Sequence, residues 1–212
     1  MQITSSSFDN NQTIPGSCAF GIADAESHMA LGQNRNPALA WSDVPEGTKS
    51  LVLMCVDPDV PSVGEDVNQE GRTISASLPR VDFYHWVMVD IAPTETSIAE
   101  ASCSDGVTIG GKSTPMGPAG SQQGINDYTG FLAGDTDMQG DYFGYDGPCP
   151  PWNDEIMHHY HFILYATDLE RCPVQGMFTG GDVKQAIEGH VLANARIVGT
   201  YALNPDVATT PF

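Results

Sequence analysis

Leu51-Val52-Leu53-Met54-Cys55-Val56 is a continuous apolar run that stops on Asp57-Pro58-Asp59-Val60-Pro61. So short a run fits a strand buried on both faces. The two prolines fix φ and remove backbone donors, so pairing is expected to end there. The plain reading is a polar turn that stops a strand. The sharper reading is a stiff turn that holds two carboxylates at the edge of a hydrophobic core, where a binding pocket can form.

Two more segments have strand character. Phe83 to Ile91 is aromatic and β-branched and ends before Pro93. His158 to Thr167 is polar in its first half and apolar in its second, which puts one end in a site and the other in the core. Helical spacing is confined to the C-terminal part, at Val183, Ala186, Ile187, His190 and Val191, with Asp182 placed to cap. Ala195, Ile197, Gly199 and Tyr201 then alternate with Arg196, Val198 and Thr200, as in a last strand. The expected fold is mainly β with few helices, in one domain spanning residues 1–212. Two long irregular segments interrupt it. Pro61 to Arg80 is expected to be a surface excursion, and Ala101 to Gly147 is rich in Gly, Ser, Asp and Gln, a length that is usually functional or mobile.

The net charge of −19, from 27 acids against 8 bases, argues against nucleic acid and against broad adhesion to anionic lipid. It also serves solubility. No apolar stretch reaches the roughly 18 residues needed to span a bilayer. The first residues lack a basic region followed by an apolar one, so a cytoplasmic location is expected, or a periplasmic one after removal of a signal peptide. Five scattered cysteines without a CxxC pair make a zinc ribbon a poor reading and a reduced protein the simpler one, with one or two disulfides left open.

Four segments can carry chemistry: Asp57 to Pro61, His85-Trp86, Gly144 to Pro151 and His158 to Phe162. A single strand histidine such as His85 is ordinarily a satisfied core residue. Gly-Pro-Cys-Pro-Pro is ordinarily a rigid loop, although its glycines can offer N–H groups to an anion. His159 and His161 share a strand face opposite His158 and Tyr160, and two histidines with a carboxylate can hold zinc. Cys149 near histidines can act as a thiol nucleophile. There is no nucleophile elbow, no HExxH and no glycine-rich phosphate loop before a lysine.

Taken in order, Asp57 to Pro61, His85-Trp86, Gly147-Pro148-Cys149-Pro150-Pro151 and His158-His159-Tyr160-His161-Phe162 resemble the phosphatidylethanolamine-binding protein family, also called Raf kinase inhibitor-like, in its bacterial branch. Trp41 to Ser50 and Gly189 to Ala193 extend the match over nearly the whole chain. The resemblance implies a large central antiparallel β-sheet flanked by a smaller sheet and a C-terminal helix. It implies an anion pocket lined by Asp57, Asp59, Pro61, His85, Trp86, Gly147, Pro148, His158 and Tyr160. The ligand is then a phosphate-like anion or a phosphoethanolamine-type headgroup, with no cofactor, no metal and no shared catalytic reaction. Regulation of a kinase or other enzyme, and pairing into a homodimer, are further implications. The chain departs from the pattern at His159, where arginine is common, and in enlarged segments at Ser62 to Phe83 and Ala101 to Asp141.

His85 and His158 can donate to oxyanions, and Tyr160 adds a hydroxyl. Asp57 repels an anion unless it orients a histidine or meets an ammonium, which favours a zwitterion over bare phosphate. The global charge opposes anion capture only within the screening length of roughly 8–10 Å. A metal hydrolase using His85, His158 and Asp57, or a thiol hydrolase using Cys149, is the alternative. An inhibitory module that contacts its target through Ser62 to Arg80 is the third reading.

Overall fold

The structure is a computed structural model that describes residues 1–208. Its strands are β1 (Gln2–Ser5), β2 (Gln12–Thr13), β3 (Gly21–Asp24), β4 (His28–Leu31), β5 (Leu39–Ser42), β6 (Ser50–Pro61), β7 (Arg80–Ile91), β8 (Ser97–Ile98), β9 (Gln122–Gln123), β10 (His158–Thr167) and β11 (Val191–Tyr201). Short helices are α1 (Tyr128–Phe131), α2 (Gly180–Ala186) and α3 (Pro205–Ala208).

The large sheet has the order β2-β11-β10-β6-β7-β9. Its neighbours are antiparallel except at the edge, where β2 pairs parallel to β11. Strand alternation sends Leu51, Leu53 and Cys55 of β6, Trp86 and Met88 of β7, and Tyr160, Phe162 and Leu164 of β10 to one face. The sheet β1-β5-β8 covers that face with Ile3, Leu39, Trp41 and Ile98. Val52, Met54, Val87 and Val89 project from the other face onto Val183 and Ile187 at α2. Burial on both faces explains the unbroken apolar run of β6. A second small sheet, β3-β4, stands apart as a hairpin.

Three expectations are corrected. Asp57 to Pro61 is not a strand stop, because β6 continues to Pro61 and pairs through Val60 with Val81 and through Pro61 with Arg80. Pairing survives the prolines because a bulge between Asp57 and Val60 takes up an extra residue. The helix ends at Ala186, and Gly189 at φ +79° turns the chain so that Val191 already belongs to β11. The cap is Thr179, whose hydroxyl accepts the Asp182 N–H while the Asp182 carboxylate accepts the Thr179 N–H. Finally, the stretch after Ala101 is held by backbone bonds such as Phe143 N–H to Lys112 and Asn126 N–H to Tyr142, and by the buried Asp146 carboxylate, which accepts Lys112 and Asn126.

Candidate functional site

The site lies where β6 and β10 part. Their ladder ends at Val56 opposite His161, and side chains take over beyond it. The Asp59 carboxylate accepts the backbone N–H of His159 at 2.9 Å and its ring N–H at 2.8 Å. Asp57 accepts Nδ1–H of His158 at 2.7 Å and, on its other oxygen, the Asp59 N–H at 2.8 Å. The bulge lets two acids two residues apart serve different partners.

A second bulge lies across the sheet. Cys55 faces Trp86 and the next pair is Val56 with Tyr84, so His85 is the extra residue of β7. Strict alternation would put His85 and Trp86 on opposite faces. Instead the His85 ring sits 5.1 Å from that of Tyr160 and 5.5 Å from Tyr128. Trp86 goes into the core beside Tyr145 and donates to Gln123 at 2.6 Å. Bulges commonly re-aim side chains at sites.

His85 is held from two sides by one residue. Its carbonyl accepts the Asp146 N–H at 3.0 Å, and its Nδ1–H donates to the Asp146 carbonyl at 2.8 Å. The Asp146 side chain is fully buried and bound by Lys112 and Asn34 at 2.7 Å and Asn126 at 2.8 Å. Burial raises the Asp146 carboxyl above its usual range, against the pull of Lys112 and the two amides. Burial also holds His85 below the usual histidine range, against the opposing pull of Asp57. A neutral ring with Nδ1–H committed to a carbonyl leaves Nε2 as an acceptor. The Gly147 backbone also lies against the ring and, with Asp146, pulls it toward the protonated form. The Tyr160 hydroxyl is buried without a partner among the described residues.

His158 differs. Nδ1–H meets Asp57 and Nε2–H meets Asp154 at 3.2 Å, so two carboxylates require both protons. Burial disfavours the charge, but Asp57 and Asp154 outweigh it and carry the imidazole up to about 9. Asp154 in turn holds Arg80 through two bonds of 2.5 and 3.0 Å. Its carboxyl stays below the usual range, because the hydrogen bonds from His158 and Arg80 overcome the burial penalty. Two anions and two cations thus alternate along Asp57, His158, Asp154 and Arg80, and no ring N–H of His158 is left for a ligand.

This gives a pH prediction. The unfolded chain releases the His158 proton near 6.5, and the fold releases it near 9. Its contribution is complete below pH 6.5 and lost as pH rises to 9, a loss of about 3 kcal/mol. Urea unfolding at pH 6, 7.5 and 9 checks it. A flat profile over that window contradicts the assignment, and His158→Gln should flatten it.

The remaining expected residues fall as follows. Gly147 and Pro148 are already engaged. Gly147 gives its N–H to Asn34 and its carbonyl to the Tyr128 hydroxyl, both at 2.8 Å, and the Pro148 carbonyl takes the N–H groups of Phe20 and Gly21. A Cβ on Gly147 would lie 2.0 Å from the Cys18 carbonyl, so glycine is required by close approach rather than for offering its N–H. Pro61 is buried opposite Arg80 at the far end of β6, and Trp86 is core. Cys149 packs against the cluster of Phe20, Tyr128 and Tyr142, and burial pushes its thiol up to about 12, far from a thiolate. His159 turns to Asp59 and His161 to Arg196. No three His, Cys, Asp or Glu side chains converge as a metal site among the described residues, and all five cysteines are free. Tyr128, Phe83, Asp146, Asp154 and Arg80 were not singled out as site residues from the sequence. Asp146 stood inside the Gly144 to Pro151 segment and Asp154 four residues before His158, so those two were within reach of a motif.

The chain matches the phosphatidylethanolamine-binding protein family model over residues 4–202. It belongs to that family. Among relatives of this chain is a UPF0098 protein of Methanothermobacter thermautotrophicus, 36% identical over 80% of this chain and 84% of that relative. Another is UPF0098 protein YbcL of Escherichia coli K12, 29% identical over 95% of this chain and 87% of YbcL. The crystal structure of YbcL, described as a new member of the mammalian family, superposes with a TM-score of 0.69 at 28% identity, covering 95% of this chain and 97% of the other. CT736 of Chlamydia trachomatis gives 0.63 at 26%, covering 94% and 95%. No helix among the described residues is long and apolar enough to cross a membrane.

Proposed function

We propose that this protein captures a small zwitterion with a phosphate monoester and an ammonium group, at a site formed by Asp57, His85 and Tyr160. The observation that carries the reading is the buried Tyr160 hydroxyl without a partner. A buried hydroxyl left unpaired costs about 1–3 kcal/mol, so its retention on a ring 5.1 Å from that of His85 supports a ligand that satisfies it. The Tyr160 hydroxyl donates to a phosphate oxygen. Nε2, an acceptor in the free protein, needs a proton between it and the phosphate, supplied by the monoanion or taken up from solvent. Asp57 retains acceptor capacity for the ammonium.

The site is read as a binding site rather than a reaction centre. His158 is committed on both nitrogens, and the Cys149 thiol is held up to about 12. Titration calorimetry of phosphoethanolamine at pH 8 tests the reading. It predicts uptake of close to one proton, seen as a heat that varies with the ionisation enthalpy of the buffer, because the phosphate is mostly a dianion above its second pKa of about 6. His85→Ala should weaken binding at least tenfold. Inorganic phosphate and ethanolamine should each bind more weakly than the joined molecule. Equal binding by wild type and His85→Ala contradicts the assignment.

A further inference from the structure

Lys112 is one of three lysines in the chain and is enclosed by the fold. Its side chain exposes 14%, against 53% for Lys49 and 54% for Lys184, which pair loosely with exposed acids. The ammonium donates to the Asp146 carboxylate at 2.7 Å and to the Tyr145 carbonyl at 2.9 Å. The Lys112 carbonyl accepts the Phe143 N–H at 3.0 Å. One residue thus holds Phe143, Tyr145 and Asp146 together.

In letters, Gly106 to Ser113 follows the pattern of a glycine-rich phosphate loop before a lysine, which the sequence reading passed over. The fold denies it that role. No strand ends at Gly106, no helix begins at Ser113, and Lys112 is committed to Asp146. The glycines serve close approach instead. Gly111 sits at φ +84°, and a Cβ there would lie 2.1 Å from the Asp141 carbonyl.

The buried Asp146 carboxylate accepts Lys112 and Asn34 on one oxygen and Asn126 on the other. The two amides supply hydrogen bonds but no charge. Burial raises the Asp146 carboxyl, and the Lys112 charge is the largest pull against that rise. A proton on Asp146 would turn an acceptor into a donor among donors, so the set of bonds that fixes it could not be kept. The same residue grips His85 through its backbone. Its N–H goes to the His85 carbonyl at 3.0 Å, and its carbonyl accepts the ring Nδ1–H at 2.8 Å.

We propose that Lys112 is a positioning residue for His85. By keeping Asp146 ionised and in place, it sets the tautomer and tilt of an imidazole that it reaches only through Asp146. Its effect on affinity rests on the reading of His85 as a ligand contact. Its effect on the ring stands without a ligand.

Long-range proton–nitrogen spectra of the imidazole-labelled full chain, free of ligand, test the proposal. Lys112→Met should displace the His85 nitrogen signals and leave those of His190, paired with the exposed Asp168, in place. Calorimetry should show phosphoethanolamine affinity at least fivefold weaker. Val183→Ala, in the buried contact on the other face of the sheet, should lose stability and leave the His85 signals alone. Asp146→Asn should itself displace them, and adding Lys112→Met to it should move them no further. That comparison stands even where Lys112→Met alone does not fold. Unmoved His85 signals in Lys112→Met, a further displacement when it is added to Asp146→Asn, or an equal displacement in Val183→Ala overturns the proposal. Displaced signals in a protein whose wild type binds no phosphoethanolamine support the positioning role and overturn the ligand reading alone.

Discussion

Asp154→Ala is expected to lower the unfolding free energy by about 3–5 kcal/mol, the range for removing one partner of a buried ion pair. The side chains concerned are enclosed: Asp154 and His158 expose at most 1%, and Arg80 exposes 12%. Truncation leaves an imidazolium with one carboxylate and a guanidinium with none. It also frees the turn after Leu78, because Arg80 holds the Ser75, Leu78 and Asp59 carbonyls from the position that Asp154 fixes. Against a typical total of about 5–15 kcal/mol this is a large fraction. Urea unfolding at pH 7 measures it. Asp154→Asn keeps the shape and loses the charge, so it should fall between wild type and alanine. It should also shift the alkaline loss of stability to lower pH, because His158 loses one of the two anions that raise it. A loss under 1 kcal/mol in Asp154→Ala contradicts the view of these four residues as a single charge-compensated unit.

Tyr160→Phe is expected to move stability and binding in opposite directions. In the free protein the hydroxyl is desolvated without a partner, so removing it should stabilise the fold by about 1 kcal/mol. The ring keeps its place against His85 and in the core. In the complex the same deletion removes a donor to the phosphate and leaves a charged oxygen unsatisfied, so affinity for phosphoethanolamine should fall about tenfold or more. Thermal unfolding and calorimetry on one preparation read both. A residue that serves only packing would lose stability and leave affinity alone. A site residue that carries strain does the reverse.

The strands were legible because burial on both faces writes itself as the uninterrupted run from Leu51 to Val56, and because the polar-to-apolar gradient from His158 to Thr167 marks which end meets the site. The order of the four motifs was enough to suggest the family. The register was not legible. Asp57 to Pro61 looks like a stop, since prolines remove donors. It continues as strand because a bulge absorbs the mismatch, and nothing in the local sequence distinguishes the two. The bulge at His85 is hidden in the same way. Counting by twos sends His85 away from Tyr160, and only the pairing of Cys55 with Trp86 and of Val56 with Tyr84 brings it back. Roles were harder still. His158 and Gly147 read as donors to an anion, yet Asp57, Asp154 and Asn34 already hold those hydrogens. Asp146, whose backbone grips His85, lies 61 residues away in sequence, and although it sits inside the Gly144 to Pro151 segment nothing there links it to His85.

The two histidines therefore carry the central proposal: His85, held below the usual histidine range by burial, is proposed to accept a ligand proton at Nε2, and His158, held as a cation by Asp57 and Asp154, is not. Long-range proton–nitrogen correlation spectra of imidazole-labelled protein at pH 7.5, with and without phosphoethanolamine, measure both directly. The structure predicts a neutral Nδ1–H tautomer for His85 in the free protein, a large shift of its Nε2 on ligand addition, and a doubly protonated His158 in both states. A His85 spectrum unmoved by saturating ligand, or a neutral His158 at pH 7.5, contradicts the account.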